Sequence, residues 1–154
     1  MRKPFFVLIA ILTFCAWEAE AQTTNVSAAD QAAIKQTALD YIEGWYEGNA
    51  ERMERALHPE LAKRIMRTDS QGRTRLDQMG AMTLVQSTRR GGGKQTPKEK
   101  QQKDVTILDI FENAASVKIV ASGWIDYLHL ARWNGRWVIV NVLWELKPEV
   151  KQER

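Results

Sequence analysis

An Asn134-Gly135 pair lies between two runs of β-forming residues, 124–133 and 136–144, and constrains the fold more than any other feature. Both central positions of a two-residue type I′ turn need a positive φ, which Asn and Gly tolerate best. The pair therefore predicts a tight β-hairpin. The turn also sets the register of the two strands. The predicted pairs are Trp133 with Arg136, Arg132 with Trp137, Leu130 with Ile139, Leu128 with Asn141, Asp126 with Leu143, and Trp124 with Glu145.

Both faces of this hairpin are substantially apolar. Leu128, Leu130 and Ile139 share one face by strand alternation, whereas Tyr127 and Val138 belong to the other. A sheet with one solvated face would alternate apolar with polar residues. We therefore expect helices to cover one face and a second subunit to cover the other, giving a homodimer.

The N-terminus has the layout of a secretory signal peptide. Arg2 and Lys3 precede an apolar run, residues 5–17, which is followed by the small-x-small sequence Ala19-Glu20-Ala21. The run is too short for a comfortable transmembrane span. We expect cleavage after Ala21, export to the periplasm or the medium, and no stable membrane insertion of the mature chain, residues 22–154.

Cys15 is the only cysteine of the chain. The bulky Phe14 before it argues against a lipoprotein, whose processing requires a small residue at that position. The mature chain would contain no cysteine, which excludes disulfides and thiolate chemistry. A single domain of this length can bury a core large enough to be stable without them.

Residues 89–103 combine a cluster of Arg and Lys with three consecutive glycines and Pro97. Nucleic-acid binding is one interpretation of such a basic run. The Gly and Pro content and the predicted export favour a solvated, mobile loop and no nucleic-acid partner. Lys94 is not followed by Ser or Thr, so the run is not a phosphate-binding loop.

Helical signals come before strand signals along the chain. We expect a first helix from Ala28 to Tyr46, a short second helix that Asn49 caps and that ends near Leu57, and a third helix from Arg75 to Thr88. Residues 61–68 fit either a helical turn or a strand. Strands are expected over 105–111 and from 117, through a bend at Gly123, into the hairpin. This order indicates an α+β fold with an antiparallel meander.

Five short segments, spread over most of the mature chain, carry a family resemblance. They are Tyr41 to Asn49, Leu57 to Leu61, Asn113 to Lys118, Asp126 to Leu128, and Gly135 to Asn141. In this order they resemble the nuclear transport factor 2-like superfamily, and within it the putative lumazine-binding and SnoaL-like branch. The resemblance implies a cone in which a strongly curved antiparallel sheet wraps around the N-terminal helices, with a pocket inside and dimerisation through the outer sheet face.

Members of this superfamily include isomerases, cyclases, dehydratases and proteins with no assigned chemistry, so function must be argued from the site. If the helices cover the face of Trp137 and Ile139, several aromatic and polar side chains converge inside the cone. This predicts a pocket for a small apolar or aromatic molecule, with no cofactor. The predicted ligand-binding residues are Tyr41, Trp45, His58 at the rim, Trp124, Asp126 and Asn141. Tyr41 and Trp45, at helical spacing, equally fit an ordinary core.

Asp126 and His58 are the candidate acid or base residues. Apolar surroundings would disfavour the charged form of Asp126 and raise its pKa. Alternatively, Asp126 is a structural carboxylate bonded to an indole N–H or to Tyr41. The predicted function is ligand binding; the alternatives are a cofactor-independent isomerase, cyclase or dehydratase, and a dimeric interaction module without an open pocket. The two histidines fall on opposite faces, so no metal site is expected.

Overall fold

The computed structural model describes residues 27–152 of the 154-residue chain. The predicted signal peptide, residues 1–21, lies outside this range. The described part is a single α+β unit. Its elements are helices α1 (Ala28–Glu47), α2 (Ala50–Ala56), α3 (Ala81–Arg89) and α4 (Pro148–Gln152), strands β1 (Leu57–Thr68), β2 (Thr74–Met79), β3 (Lys103–Phe111), β4 (Ala114–Ala121), β5 (Trp124–Trp133) and β6 (Arg136–Leu146), and a 3₁₀ turn (Lys98–Lys100).

The six strands form one curved, open sheet in the order β2-β1-β6-β5-β4-β3. Strands β3 to β6 are an antiparallel meander, as predicted. Strand β1 lies parallel to β6, and β2 pairs antiparallel with β1 at the edge. Helices α1, α2 and α3 contact one face of this sheet. The predicted fold class, helices packed on a strongly curved sheet, is confirmed.

The hairpin forms at the predicted turn, with φ of 49° at Asn134 and 77° at Gly135. The predicted register is confirmed only as far as the pair Leu130 and Ile139. Beyond it the prediction is wrong, because Val140 is an extra residue that bulges out of the ladder and shifts β6 by one position. The pairs that follow are His129 with Asn141, Leu128 with Val142, Asp126 with Trp144, and Trp124 with Leu146.

Two other predicted elements are wrong in part. Residues 75–79, expected at the start of the third helix, belong to β2 (Thr74–Met79), and Gly80 separates this strand from α3. The i, i+3 spacing of Leu76 and Met79 suggested a helix, but pairing with β1 satisfies the backbone of these residues instead. Residues 117–133 are also not one bent strand: the bend at Ser122 and Gly123 reverses the chain, so that β4 and β5 pair as a hairpin.

Helix α1 is fixed to the sheet at both ends. At its start Asp30, within the Ser27 cap, accepts a hydrogen bond from Trp137 Nε1 at 3.0 Å. Near its end the buried Tyr46 hydroxyl contacts Ser122 Oγ at 2.9 Å and Gln102 O at 2.8 Å. These contacts hold the helix across the concave face of the sheet, above the core.

Helix α2 is held against α1 by charge. The Asp40 carboxylate, on the side of α1, accepts hydrogen bonds from Arg52 Nε and Arg55 Nε, both at 3.1 Å. Burial raises the pKa of Asp40, but the hydrogen bonds from Arg55, Arg52 and Gln36 outweigh it, and the pKa lies below its usual value. Among residues 27–152, no helix is long and apolar enough to cross a membrane.

We predict that Asp40→Asn lowers the free energy of unfolding at pH 7 by about 1–3 kcal/mol, because charge-assisted hydrogen bonds are lost. A carboxyl whose pKa is lowered by folding stabilises the protein above its unfolded pKa and ceases to do so as pH falls through its folded pKa. The deficit of the variant should therefore begin to shrink as pH drops below 3.8, the ordinary value, and vanish below the lower pKa of the folded state. Urea denaturation from pH 7 to pH 2.5 measures this.

The matched control is Asp109→Asn at an exposed position of β3. It should change the free energy of unfolding by less than about 0.5 kcal/mol. A deficit of Asp40→Asn that persists unchanged at pH 2.5 would contradict the assignment of its stabilising role to the ionised carboxylate.

Candidate functional site

A cavity of about 600 Å³ lies between the helices and the concave face of the sheet. Its lining is mostly apolar and aromatic, and polar groups are few. Tyr41, Met53, Lys63 and Leu84 are buried in its wall, whereas Lys100 is exposed to solvent. The lining residues are Tyr41, Trp45, Met53, Lys63, Met79, Leu84, Ser87, Thr96, Lys100, Ser122, Gly123, Trp124, Trp144, Leu146 and Val150.

Four aromatic side chains dominate this lining. Tyr41 and Trp45 lie one turn apart on α1 and face the cavity, as predicted from their spacing. Trp124 at the start of β5 meets the Trp45 ring edge-on, with centroids 6.5 Å apart and planes at 86°. Trp144 on β6 completes the set. Together they offer flat apolar surfaces of the kind that bind ring systems.

A buried ion pair lies in this wall. Lys63 Nζ is 2.5 Å from Asp126 Oδ1 and donates to Tyr41 Oη at 2.7 Å. The indole of Trp124 donates to the other carboxylate oxygen, Asp126 Oδ2, at 2.6 Å. Asp126 is 0% exposed, Tyr41 3% and Lys63 6%, so these three side chains are shielded from bulk water, whereas Trp124 is half-buried. The indole bond that we considered for Asp126 is present, and both carboxylate oxygens have partners.

Burial shifts the pKa of two members of the cluster. Desolvation lowers the pKa of Lys63, an effect that the Asp126 carboxylate opposes. Desolvation raises the pKa of Tyr41 well above its ordinary value, and the negative charge of Asp126 adds to the rise. Tyr41 therefore keeps its hydroxyl proton at neutral pH and can act as a hydrogen-bond donor.

Lys63 was not a predicted site residue. It lies on β1 between Leu61 and Ile65, and all three are buried on the inner face of the sheet. A lysine in phase with two apolar residues of a strand is a usable signal for an inward-facing charge. That signal was lost because residues 61–68 could not be assigned to a strand from their sequence.

The bulge at Val140 decides which residues of β6 face the cavity. Trp144 and Leu146 line it, although neither was predicted to do so. Asn141, expected inside the cone, lies outside the cavity lining. Its side chain accepts from Arg64 Nη1 at 2.8 Å and contacts His129 Nδ1 at 3.2 Å.

His58 also lies outside the cavity lining. Its Nδ1 accepts a hydrogen bond from the backbone N–H of Glu60 at 3.1 Å, and its ring meets Trp133 edge-on at 4.7 Å. These contacts hold His58 beside the hairpin tip rather than at the rim. Within residues 27–152 no group of three or more His, Cys, Asp or Glu side chains is arranged to hold a metal ion.

The basic Gly-rich segment contributes to the cavity wall. Thr96 and Lys100 line the cavity. Gly92 and Gly93 lie so close to Trp45 that a Cβ on either would overlap its ring; at Gly92 the separation from Cη2 would be 2.5 Å. The glycines therefore allow the segment to approach α1 closely, a role that their sequence pattern does not reveal.

We predict that Lys63→Met costs about 3–5 kcal/mol of unfolding free energy, because it leaves the Asp126 charge buried without its partner. Replacing both members, as Lys63→Met with Asp126→Leu, should recover most of this loss, since no charge remains buried. Urea denaturation of the single and double variants at pH 7 measures the difference. A single variant no less stable than the double would show that the pair is not a structural requirement.

Solved structures of low sequence identity share this fold. A nuclear transport factor 2-like protein of unknown function from Methylobacillus flagellatus KT is 22% identical, with a TM-score of 0.62 covering 79% of this chain and 95% of that chain. One from Shewanella baltica OS155 is 20% identical, with a TM-score of 0.60 covering 80% and 99%. A third, from Novosphingobium aromaticivorans, has a cystatin-like fold and is 10% identical, with a TM-score of 0.57 covering 78% and 83%. Identities this low establish the fold alone.

No curated protein matches the chain. The profile of the family described as "Putative lumazine-binding" matches residues 29–145, which is nearly all of the described range. The resemblance of the five sequence segments is therefore confirmed. The chain belongs to the family described as putative lumazine-binding, and it has the fold of the nuclear transport factor 2-like structures.

Proposed function

We propose that this is an exported protein that binds a small, largely apolar molecule in the cavity between its helices and its sheet. The observation that carries the proposal is the cavity itself, about 600 Å³ of space lined by four aromatic rings and one buried polar cluster. Small-molecule sites have this form: an apolar concavity with a few placed polar groups. Family membership supports ligand binding in the same general sense.

Binding is favoured over catalysis by the positions of the two candidate acid or base residues. Asp126 is fully buried, does not line the cavity, and has partners on both oxygens. His58 lies outside the cavity lining. Neither side chain is placed to exchange a proton directly with a bound molecule. The open volume also favours binding over an interaction module whose interior is filled by its own side chains.

Export is proposed from the N-terminal sequence, whose charged start, apolar run and Ala19-Glu20-Ala21 site follow the order of a secretory signal. Cleavage after Ala21 would leave a mature chain without cysteine. A binding function in an extracytoplasmic compartment requires no cofactor and is compatible with a core that lacks disulfides.

We predict that native mass spectrometry of protein purified gently from an exporting host detects additional small-molecule mass on a chain that begins at Gln22. Ser87 lines the cavity, so Ser87→Trp should fill part of it and abolish the additional mass. The control Thr106→Trp adds the same ring at an exposed position of β3 and should retain it. Retention of the mass by both variants would place the ligand elsewhere, and wild-type protein without it would count against an occupied cavity.

We further propose that the protein is a homodimer through the outer sheet face. Met66 and Leu76 are cross-strand partners on β1 and β2, and Tyr127 and Leu143 are partners on β5 and β6. All four side chains are 43–53% exposed. Arg64 links the two pairs, since it neighbours Leu143 in the sheet and lies two residues before Met66. A second copy, related by a two-fold axis, would cover this apolar band with its own.

We predict that Leu143→Lys converts the dimer into a monomer, because each interface would bury a lysine from both copies. The control Met82→Lys changes an apolar residue on α3 that is 64% exposed and should leave the dimer intact. Sedimentation velocity measures the mass of each. A monomeric wild-type protein would contradict the proposed dimer without affecting the proposed cavity function.

A further inference from the structure

The buried cluster in the cavity wall retains unused hydrogen-bond donors. An ammonium group has three N–H donors, and Lys63 directs two of them to Tyr41 Oη and Asp126 Oδ1. Its Nζ also lies 4.7 Å from the centroid of the Trp144 ring, over the ring face. Lys63 lines the cavity. One N–H of a buried lysine is thus available to a molecule in the cavity.

Tyr41 supplies a second donor beside the first. Its oxygen accepts from Lys63, so its own proton remains a donor, for which the Asp126 carboxylate and a molecule in the cavity compete. Tyr41 also lines the cavity, and its Oη lies 2.7 Å from Lys63 Nζ. Two adjacent donors can converge on one oxygen that carries two lone pairs, as a carbonyl oxygen does.

The net charge of the cluster favours a neutral hydrogen-bond acceptor over an anionic one. Asp126 already balances Lys63 at 2.5 Å, so the pair carries no net charge. An anionic group at the cluster would bring a third, uncompensated charge among buried side chains, since the other cation of the lining, Lys100, is exposed to solvent rather than part of the cluster. A neutral acceptor satisfies the free donors without that cost.

A further buried donor lies in the same wall. Trp144 Nε1 is shielded from solvent and has no hydrogen-bond partner among residues 27–152. Trp144 lines the cavity and stacks against Lys63. This end of the cavity therefore has hydrogen-bond donors without acceptors, which favours a ligand that carries acceptors.

We propose that the ligand is a neutral, ring-containing molecule with a carbonyl oxygen that Lys63 Nζ and Tyr41 Oη bind together. This inference rests on the proposed binding function and specifies its ligand class. The aromatic residues hold the apolar body of the molecule, and the two donors fix its orientation. Asp126 is a positioning residue, since it holds the Lys63 ammonium in place and does not contact the ligand.

Three probes of nearly equal size test the proposal: 2-acetylnaphthalene, which carries the ketone; 2-ethylnaphthalene, which lacks an acceptor; and 2-naphthoate, which is anionic. Equilibrium dialysis gives the dissociation constant of each for the wild-type protein and for two variants. The first variant is Lys63→Met with Asp126→Leu, which removes the ion pair without leaving a buried charge. The second is Tyr41→Phe, which keeps the ion pair. Circular dichroism verifies that both are folded.

For each probe, the dissociation constant of a variant is compared with that of the wild-type protein. Differences in hydrophobicity between the probes therefore cancel from the comparison. We expect the ketone to lose about tenfold or more in affinity in the double variant, the range of a hydrogen bond to a charged donor. In Tyr41→Phe we expect a loss of about threefold or more. The hydrocarbon should change by less than about threefold in both. If the double variant does not fold, the change in ketone and hydrocarbon affinity in Tyr41→Phe alone tests the proposal.

Equal losses for ketone and hydrocarbon would overturn the proposed carbonyl anchor while leaving the cavity as the binding site. A larger loss for naphthoate than for the ketone would overturn it in favour of an anionic ligand. Failure of all three probes to bind the wild-type protein, together with native mass spectra that show no additional mass, would overturn both this inference and the binding function on which it rests.

Discussion

The buried ion pair of Lys63 and Asp126 is the interaction on which the interior of this protein depends. It joins β1 to β5 across the intervening β6, and it reaches α1 through the Tyr41 hydroxyl. Transfer of either charge from water to an apolar interior is costly, so each is tolerated only because the other is present. The pair lies between α1 and the sheet, in a wall whose other side chains are mostly apolar. It therefore places a buried polar group in a cavity that is mostly apolar.

Helix α1 is positioned by contacts at its two ends and by Ile34, Ala38 and Ile42, which are fully buried in the core along its length. Trp137 holds Asp30 at the start, and Ser122 and Gln102 hold the Tyr46 hydroxyl near the end. Between these points Tyr41 and Trp45 face open volume. The buried residues and the end contacts therefore hold the helix against the sheet, while Tyr41 and Trp45 on the same helix border the cavity.

One inserted residue determines the composition of the site on β6. Because side chains alternate along a strand, a single bulge at Val140 moves every later residue to the opposite face. It brings Trp144 and Leu146 into the cavity and places Asn141 among the polar side chains Arg64 and His129. The same shift leaves Leu143 on the outer face, half exposed, within the apolar band that we propose as the dimer interface.

The sequence by itself determined what depends on local chemistry. The Asn134-Gly135 turn, the capped first helix, the α+β order and the facing of Tyr41 and Trp45 all follow from residue types at fixed short spacings, and the structure confirms them. The tertiary structure alone decided that residues 74–79 are a strand, because only pairing with β1 stabilises them in that form. The tertiary structure also determined the position of the bulge, because β6 has a neighbouring strand on each side. It likewise brought Lys63 next to Asp126, although the two are 63 residues apart in the chain. No local pattern encodes the partner of a buried charge, since that partner is set by which strands become neighbours in the sheet.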